Sequence, residues 1–114
     1  MIRVAIRFDD PSATTPRALE EAIIAALEEQ GLAATFALVP FSETASGVKA
    51  LDDSNASHLL VAHQRGVIEV ALHGHSHKSN CANGKPSEFA GLPTERQAAL
   101  LREAIAHLRA ISGR

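Results

Sequence analysis

The sequence predicts an α/β fold built from parallel β/α units, and three observations carry that prediction. Apolar residues alternate with period two near the N-terminus, recur at helical spacing through residues 16–30, and form a continuous run at 32–39. The strand-like and helix-like patterns then repeat in the same order. Strands that alternate with helices build a parallel sheet with the helices outside it.

Ile2, Val4, Ile6 and Phe8 alternate with Arg3, Ala5 and Arg7, a strand ended by Asp9-Asp10-Pro11. Thr15 offers an N-cap with Pro16 as the first helical residue, and Glu20 and Glu21 lie in the early turns. Leu19, Ile23, Ala26 and Leu27 form the expected apolar face, and Gly31 the stop. The run 32–39 before Pro40 suits a strand buried on both faces. Residues 41–54 are polar, contain Gly47 and several serines, and read as a loop. A second helix is expected over 55–65, closed by Gly66, and a third strand over 67–72. Residues 73–92 form a long connection with Asn83-Gly84 and Pro86; connections of that length in small domains are more often functional than decorative. Thr94 and Gln97 make a capping-box pattern for a last helix with Leu101, Ile105 and Leu108 on one face, ending near Ser112-Gly113.

A chain of 114 residues is expected to form one domain, 1–114, and its 46% apolar and 21% charged residues are those of a globular protein. A net charge of -2, scattered Lys and Arg, and the absence of Trp and Tyr argue against nucleic-acid binding or an anionic membrane surface. Charges interrupt the apolar N-terminus, which therefore reads as neither a signal peptide nor a membrane span. Cys81 is the single cysteine, so no intrachain disulfide can form, and a cytoplasmic setting is expected.

The chemistry concentrates in two stretches. In parallel α/β folds ligands bind outside the carboxyl ends of the strands. Asp9 and Asp10 end the first strand, while His73, His75 and His77 follow the third, so both groups should share one rim. Imidazole nitrogens and a carboxylate oxygen suit a divalent ion such as zinc, and three protein ligands leave positions open for water and substrate. Of two adjacent acids, one can bind the ion while its neighbour takes a proton from the activated water. Taken singly, Asp-Asp-Pro is also ordinary turn chemistry and clustered histidines can be a solvated loop. Spacing by itself does not say which histidines bind. His58, His63 and His107, on expected helices, read as surface or packing residues.

"RFDDPS" followed by "ALHGHSH" resembles the polysaccharide deacetylases of the NodB-homology type (carbohydrate esterase family 4). The chain is most similar to a branch carrying R-x-D-D-P, L-H-G-x-x-H and S-E-F-A-G-L-P, here residues 7–11, 72–77 and 87–93. The resemblance implies Asp9 as general base and Asp10, His73 and His77 as ligands of a divalent metal, zinc in the first instance. His75 falls at a variable position of that motif. It also implies a distorted (β/α) barrel and metal-dependent hydrolysis of an N-acetyl, sometimes O-acetyl, group on a carbohydrate. The broader family usually has Ser or Thr where this chain has Gly74.

The resemblance covers the first half of the family's domain. A later Arg/Pro strand end and a distal histidine acting as general acid have no counterpart after Gly91. Three strands cannot close a barrel, so an open sheet, or one completed by a second copy or a complementing chain, is expected. A second reading is therefore a non-catalytic or truncated metal-binding half-domain that assembles with itself or a partner. Non-haem iron oxygenases share the two-histidine, one-carboxylate set but normally build it on an all-β scaffold. No Gly-rich turn follows the first strand, which argues against a dinucleotide cofactor.

Overall fold

The computed structural model describes residues 1–80, 84 and 86–113; Cys81 and Asn83 lie outside the described residues. The elements run β1 (Arg7–Asp9), α1 (Arg17–Glu29), β2 (Ala34–Leu38), β3 (Phe41–Thr44), β4 (Gly47–Ala50), α2 (Ser57–Gln64), β5 (Ile68–Leu72) and α3 (Thr94–Ser112). β2 is the middle strand of a three-stranded parallel sheet ordered β1-β2-β5, and β3 and β4 form a separate antiparallel hairpin. The expected α/β class with a parallel sheet is thus the observed one, and the sheet is open rather than closed into a barrel.

β2 is central because its residues tolerate burial on both faces. Phe36, Ala37 and Leu38 are buried, and the Phe36 ring meets Phe8 of β1 edge-on, with centroids 5.2 Å apart. Leu51 and Leu59 complete the fully buried centre, with Ile24 and Leu27 of α1, Ile68 of β5 and Leu108 of α3 around it. Each such side chain contributes roughly 1.5–3 kcal/mol by leaving water.

The first strand is shorter than its alternation predicts. Ile2 and Val4 are 90% and 81% exposed, because β2 begins only at Ala34 and the last backbone bond on that side joins Thr35 N–H to Ile6 O. A strand pattern without a partner strand has no ladder to complete. For the same reason Leu32, expected in the second strand, is half exposed before β2 starts.

Residues 41–54 are not all loop: β3 and β4 pair from Phe41↔Ala50 to Thr44↔Gly47. The hairpin is short, largely exposed and polar, so no apolar alternation announced it. The face of α1 is also turned from the expected one. Glu20, Ile24 and Leu27 are buried whereas Leu19 is half exposed. Glu20 can point inward because His58 Nε2 lies 2.7 Å from its Oε1 and Thr15 Oγ1 lies 2.6 Å from its Oε2. Thr15 is accordingly no N-cap; Pro16 holds that position without a side-chain cap. The exposed Glu21 has its carboxyl held below the ordinary carboxylate range, chiefly by its hydrogen bond to Arg17.

Gly31 and Gly66 end α1 and α2 as expected. Their left-handed φ of 63° and 76° lets Leu32 and Val67 N–H fold back onto Leu27 and Ala62 carbonyls. The Thr94–Gln97 capping box does not form. Pro93 is the N-cap of α3, and Gln97 Nε2 donates to Leu92 O instead. Ala104 and Leu108 form the buried stripe of α3, leaving Leu101 and Ile105 partly exposed. Among the described residues, no helix is long and apolar enough to cross a membrane.

Candidate metal centre

The sheet register brings the two motifs to one rim. Asp9 pairs with Ala37 and Leu72 with Leu38, so β1 and β5 end on either side of the same end of β2. Asp10 N–H then donates to Ala37 O at 3.1 Å and His73 N–H to Leu38 O at 2.8 Å, tying both chain exits to the middle strand.

Asp10, His73 and His77 converge there. One ligand atom from each lies within 4.8 Å of the others, the only such group of three among the described residues. Asp10 Oδ1 is 3.0 Å from His73 Nε2 and 3.5 Å from His77 Nε2, and the two rings lie 5.1 Å apart. Zinc bonds of 2.0–2.2 Å in tetrahedral geometry place ligand atoms roughly 3.3 Å from each other. The donor set and its spacing therefore fit a divalent ion of zinc size.

Backbone strain marks the same place. Asp10 and His77, at φ 80° and 56°, are the non-glycine residues with left-handed backbone among those described. Such conformations persist where surrounding structure over-determines them, and they cluster at functional sites.

The other predicted residues are placed differently. Asp9 stays outside the convergent group, its Oδ1 held by Arg7 Nε at 2.5 Å on the same strand face. Arg7 Nη2 also lies 3.4 Å from His73 Nδ1. A guanidinium only donates, so a hydrogen bond at this contact requires Nδ1 as acceptor and the ring proton on Nε2. A metal ion on Nε2 requires the opposite tautomer, whose Nδ1–H must turn away from Arg7 to an acceptor.

His75 points away from the cluster. Its Nε2 lies 3.0 Å from Glu103 Oε2 of α3, and its ring stacks on Phe41 at 4.6 Å, with His107 on Phe41 at 4.8 Å. The middle histidine of the loop therefore fastens it to α3 and the hairpin. The three helical histidines have structural partners: His58 with Glu20, His63 Nδ1 with Ile68 O at 3.2 Å, and His107 Nε2 with Leu51 O at 2.6 Å.

Two contributors were invisible in the spacing of the motifs. Arg7 orients Asp9, and Glu88 binds the backbone of the histidine loop, its Oε1 accepting from His75 N–H at 2.6 Å and its Oε2 from Ser76 N–H at 3.2 Å. Both lie inside quoted motifs, yet only the tertiary contact shows what they hold. The cluster is flanked by two cavities of about 270 Å³ each. One meets Asp10 and His77 with the hydroxyl-bearing Ser12, Thr14, Ser42 and Ser76; the other meets His73 and His77 with Glu88 and Phe89. A larger cavity of about 440 Å³ between α1 and α2 is remote from the cluster.

No protein-family model, no curated protein and no solved structure matches the chain.

Proposed function

We propose that Asp10, His73 and His77 bind a divalent metal ion, zinc in preference to its neighbours. On that reading the chain is a metal-dependent hydrolase that removes acetyl groups from N-acetylated or O-acetylated sugars. The observation that carries the metal is the 3.0 and 3.5 Å spacing of two imidazole nitrogens about one carboxylate oxygen. Support for the substrate class is the resemblance of "RFDDPS", "ALHGHSH" and "SEFAGLP" to the polysaccharide deacetylases, together with a hydroxyl-lined cavity against Asp10 and His77 suited to a polyhydroxylated ligand. The sequential strand order β1-β2-β5, with no reversal, is shared by a (β/α) barrel segment and by one half of a doubly wound sheet, and it accommodates the reading as the first part of a distorted barrel.

When bound, the ion supplies Lewis-acid activation of water and of the acetyl carbonyl. The chain's own residues do the rest. Asp9 is the general base, next in sequence to Asp10, with one carboxylate oxygen on Arg7 and the other, Oδ2, to take the proton. The flanking Ser12, Thr14, Ser42 and Ser76 hydroxyls bind the sugar. The single cysteine supports a reducing, cytoplasmic setting.

The open sheet favours a second reading in parallel, a metal-binding half-domain completed by another copy or a partner chain. Exposed Ile2, Val4 and Ile6 extend from the outer strand β1 and would be covered by such an assembly. The two readings share their ligands and differ in catalysis. Zinc-reloaded protein is expected to carry near-stoichiometric metal, lost in His73→Ala, His77→Ala, and to release acetate from N-acetylated sugar oligomers. Asp9→Asn should keep the metal and lose the release. Metal without any acetate release leaves the assembly reading; absence of metal overturns both.

A further inference from the structure

We infer that Glu88 is a positioning residue for the metal loop: its carboxylate spans the turn between the two histidine ligands and fixes their separation. This rests on the metal reading above and extends it to a residue outside the ligand set.

The loop 73–77 must place two rings on one side while its backbone passes through a left-handed residue at Gly74 and another at His77. A turn of that kind exposes consecutive N–H groups with no ladder to accept them. Glu88 accepts two of them, from His75 at 2.6 Å and Ser76 at 3.2 Å, one on each carboxylate oxygen. Hydrogen bonds to an ionised acceptor are roughly twice as strong as neutral ones.

Gly74 belongs to the same device. A Cβ there would sit 2.5 Å from Glu88 Oε1, so the carboxylate occupies the space that any side chain would need. The pair explains why glycine follows the first ligand histidine in this chain. Glu88 is itself anchored. Asn80 Nδ2 donates to Glu88 O at 2.7 Å, Asn80 N–H to Ser87 O at 2.8 Å, and Ser87 N–H to Ser79 Oγ at 2.9 Å. The segment after the histidines therefore folds back and grips the loop it came from. On the opposite side Phe41 N–H donates to His75 O at 3.1 Å, so the turn is held from both sides. The ligands' own contacts explain neither the glycine nor the carboxylate.

The test uses the full chain with Glu88→Ala and Glu88→Gln, after circular dichroism shows that each variant is folded. In metal-free protein, amide exchange at His75 and Ser76 should accelerate at least tenfold in Glu88→Ala, with the sheet amides of Thr35 and Val70 unchanged. Zinc affinity, from competition with a chromophoric chelator, should fall about 10–100-fold, the scale that follows loss of an outer group that orients metal ligands. The ligand-field bands of the cobalt-loaded protein should shift or broaden. Gln keeps one acceptor oxygen and is expected to fall between parent and Ala in all three readouts. Parental zinc affinity and parental amide protection in Glu88→Ala would overturn the inference. If the parent binds no zinc, the metal reading fails by itself. Amide exchange then still decides the clamp: acceleration at both amides upholds it and unchanged exchange removes it.

Discussion

Asp10 and His77 lie 67 positions apart in sequence, both adopt left-handed backbone, and their side chains meet with Nε2 3.5 Å from Oδ1. Conformations of this kind cost of order 1–3 kcal/mol each, so the fold sustains strain at two points of one cluster. The ring of His77 is mostly exposed and adds little packing. His77→Gly should therefore leave the metal-free protein as stable as the parent or up to about 1 kcal/mol more stable. Zinc binding should be lost. Chemical denaturation with and without chelator checks both, and a marked loss of metal-free stability would refute the account of strain.

Metal addition gives the complementary expectation. An ion that binds only the folded chain stabilises it by about 2.7 kcal/mol when present at a hundred times its dissociation constant. Thermal melts should rise with zinc in the parent and stay flat in Asp10→Ala. An equal rise in both would place the bound zinc elsewhere.

Gly74→Ala should be costly for two reasons. Its φ of 76° disfavours any Cβ by about 1–2 kcal/mol, and the added carbon would meet Glu88 Oε1 at 2.5 Å. The variant is expected to melt lower and to bind zinc more weakly. In a Glu88→Ala background the same substitution should cost less, because only the backbone part remains. Additive effects in this double-mutant cycle would separate Gly74 from Glu88.

The Glu20–His58 pair is almost fully buried, at 2% and 6% side-chain exposure, and joins α1 to α2. Removing one partner of a buried hydrogen-bonded pair typically costs about 1–3 kcal/mol, because the group left behind is buried and unsatisfied. Glu20→Ala and His58→Ala should each destabilise on that scale, whereas joint Glu20→Met, His58→Leu should cost less than either. His58 Nδ1 is itself buried without a hydrogen-bond partner, which makes the apolar replacement more favourable still. Urea denaturation of the three variants decides it, and equal destabilisation in all three would show that packing, not the hydrogen bond, holds the pair.

The sequence by itself determined the parallel β/α arrangement, the doubly buried strand through Phe36 and Leu38, and the shared rim of the two motifs. Each of these follows from local rules: periodicity names the element, the apolar run names the central strand, and parallel winding sends strand ends to one side. Tertiary structure alone decided how far each pattern was used. The alternation from Ile2 to Ile6 was legible, but β2 starts too late to pair with it. The hairpin from Phe41 to Ala50 was illegible because its residues are mostly exposed and show no apolar alternation, and its register depends on a turn rather than on a core face. The sequence placed Glu20 in an early turn of the first helix, but its burial depends on a partner, His58, 38 positions away. The same limit governs the site. Residue types nominated Asp9, Asp10, His73, His75 and His77, and the family resemblance singled out Asp10, His73 and His77 as ligands, yet the turning of His75 toward Glu103, the capture of Asp9 by Arg7 and the grip of Glu88 on the loop are contacts that only the folded chain shows. A sequence states which groups a segment carries; only the packed chain sets which of them come within hydrogen-bond reach, because those distances depend on every intervening turn.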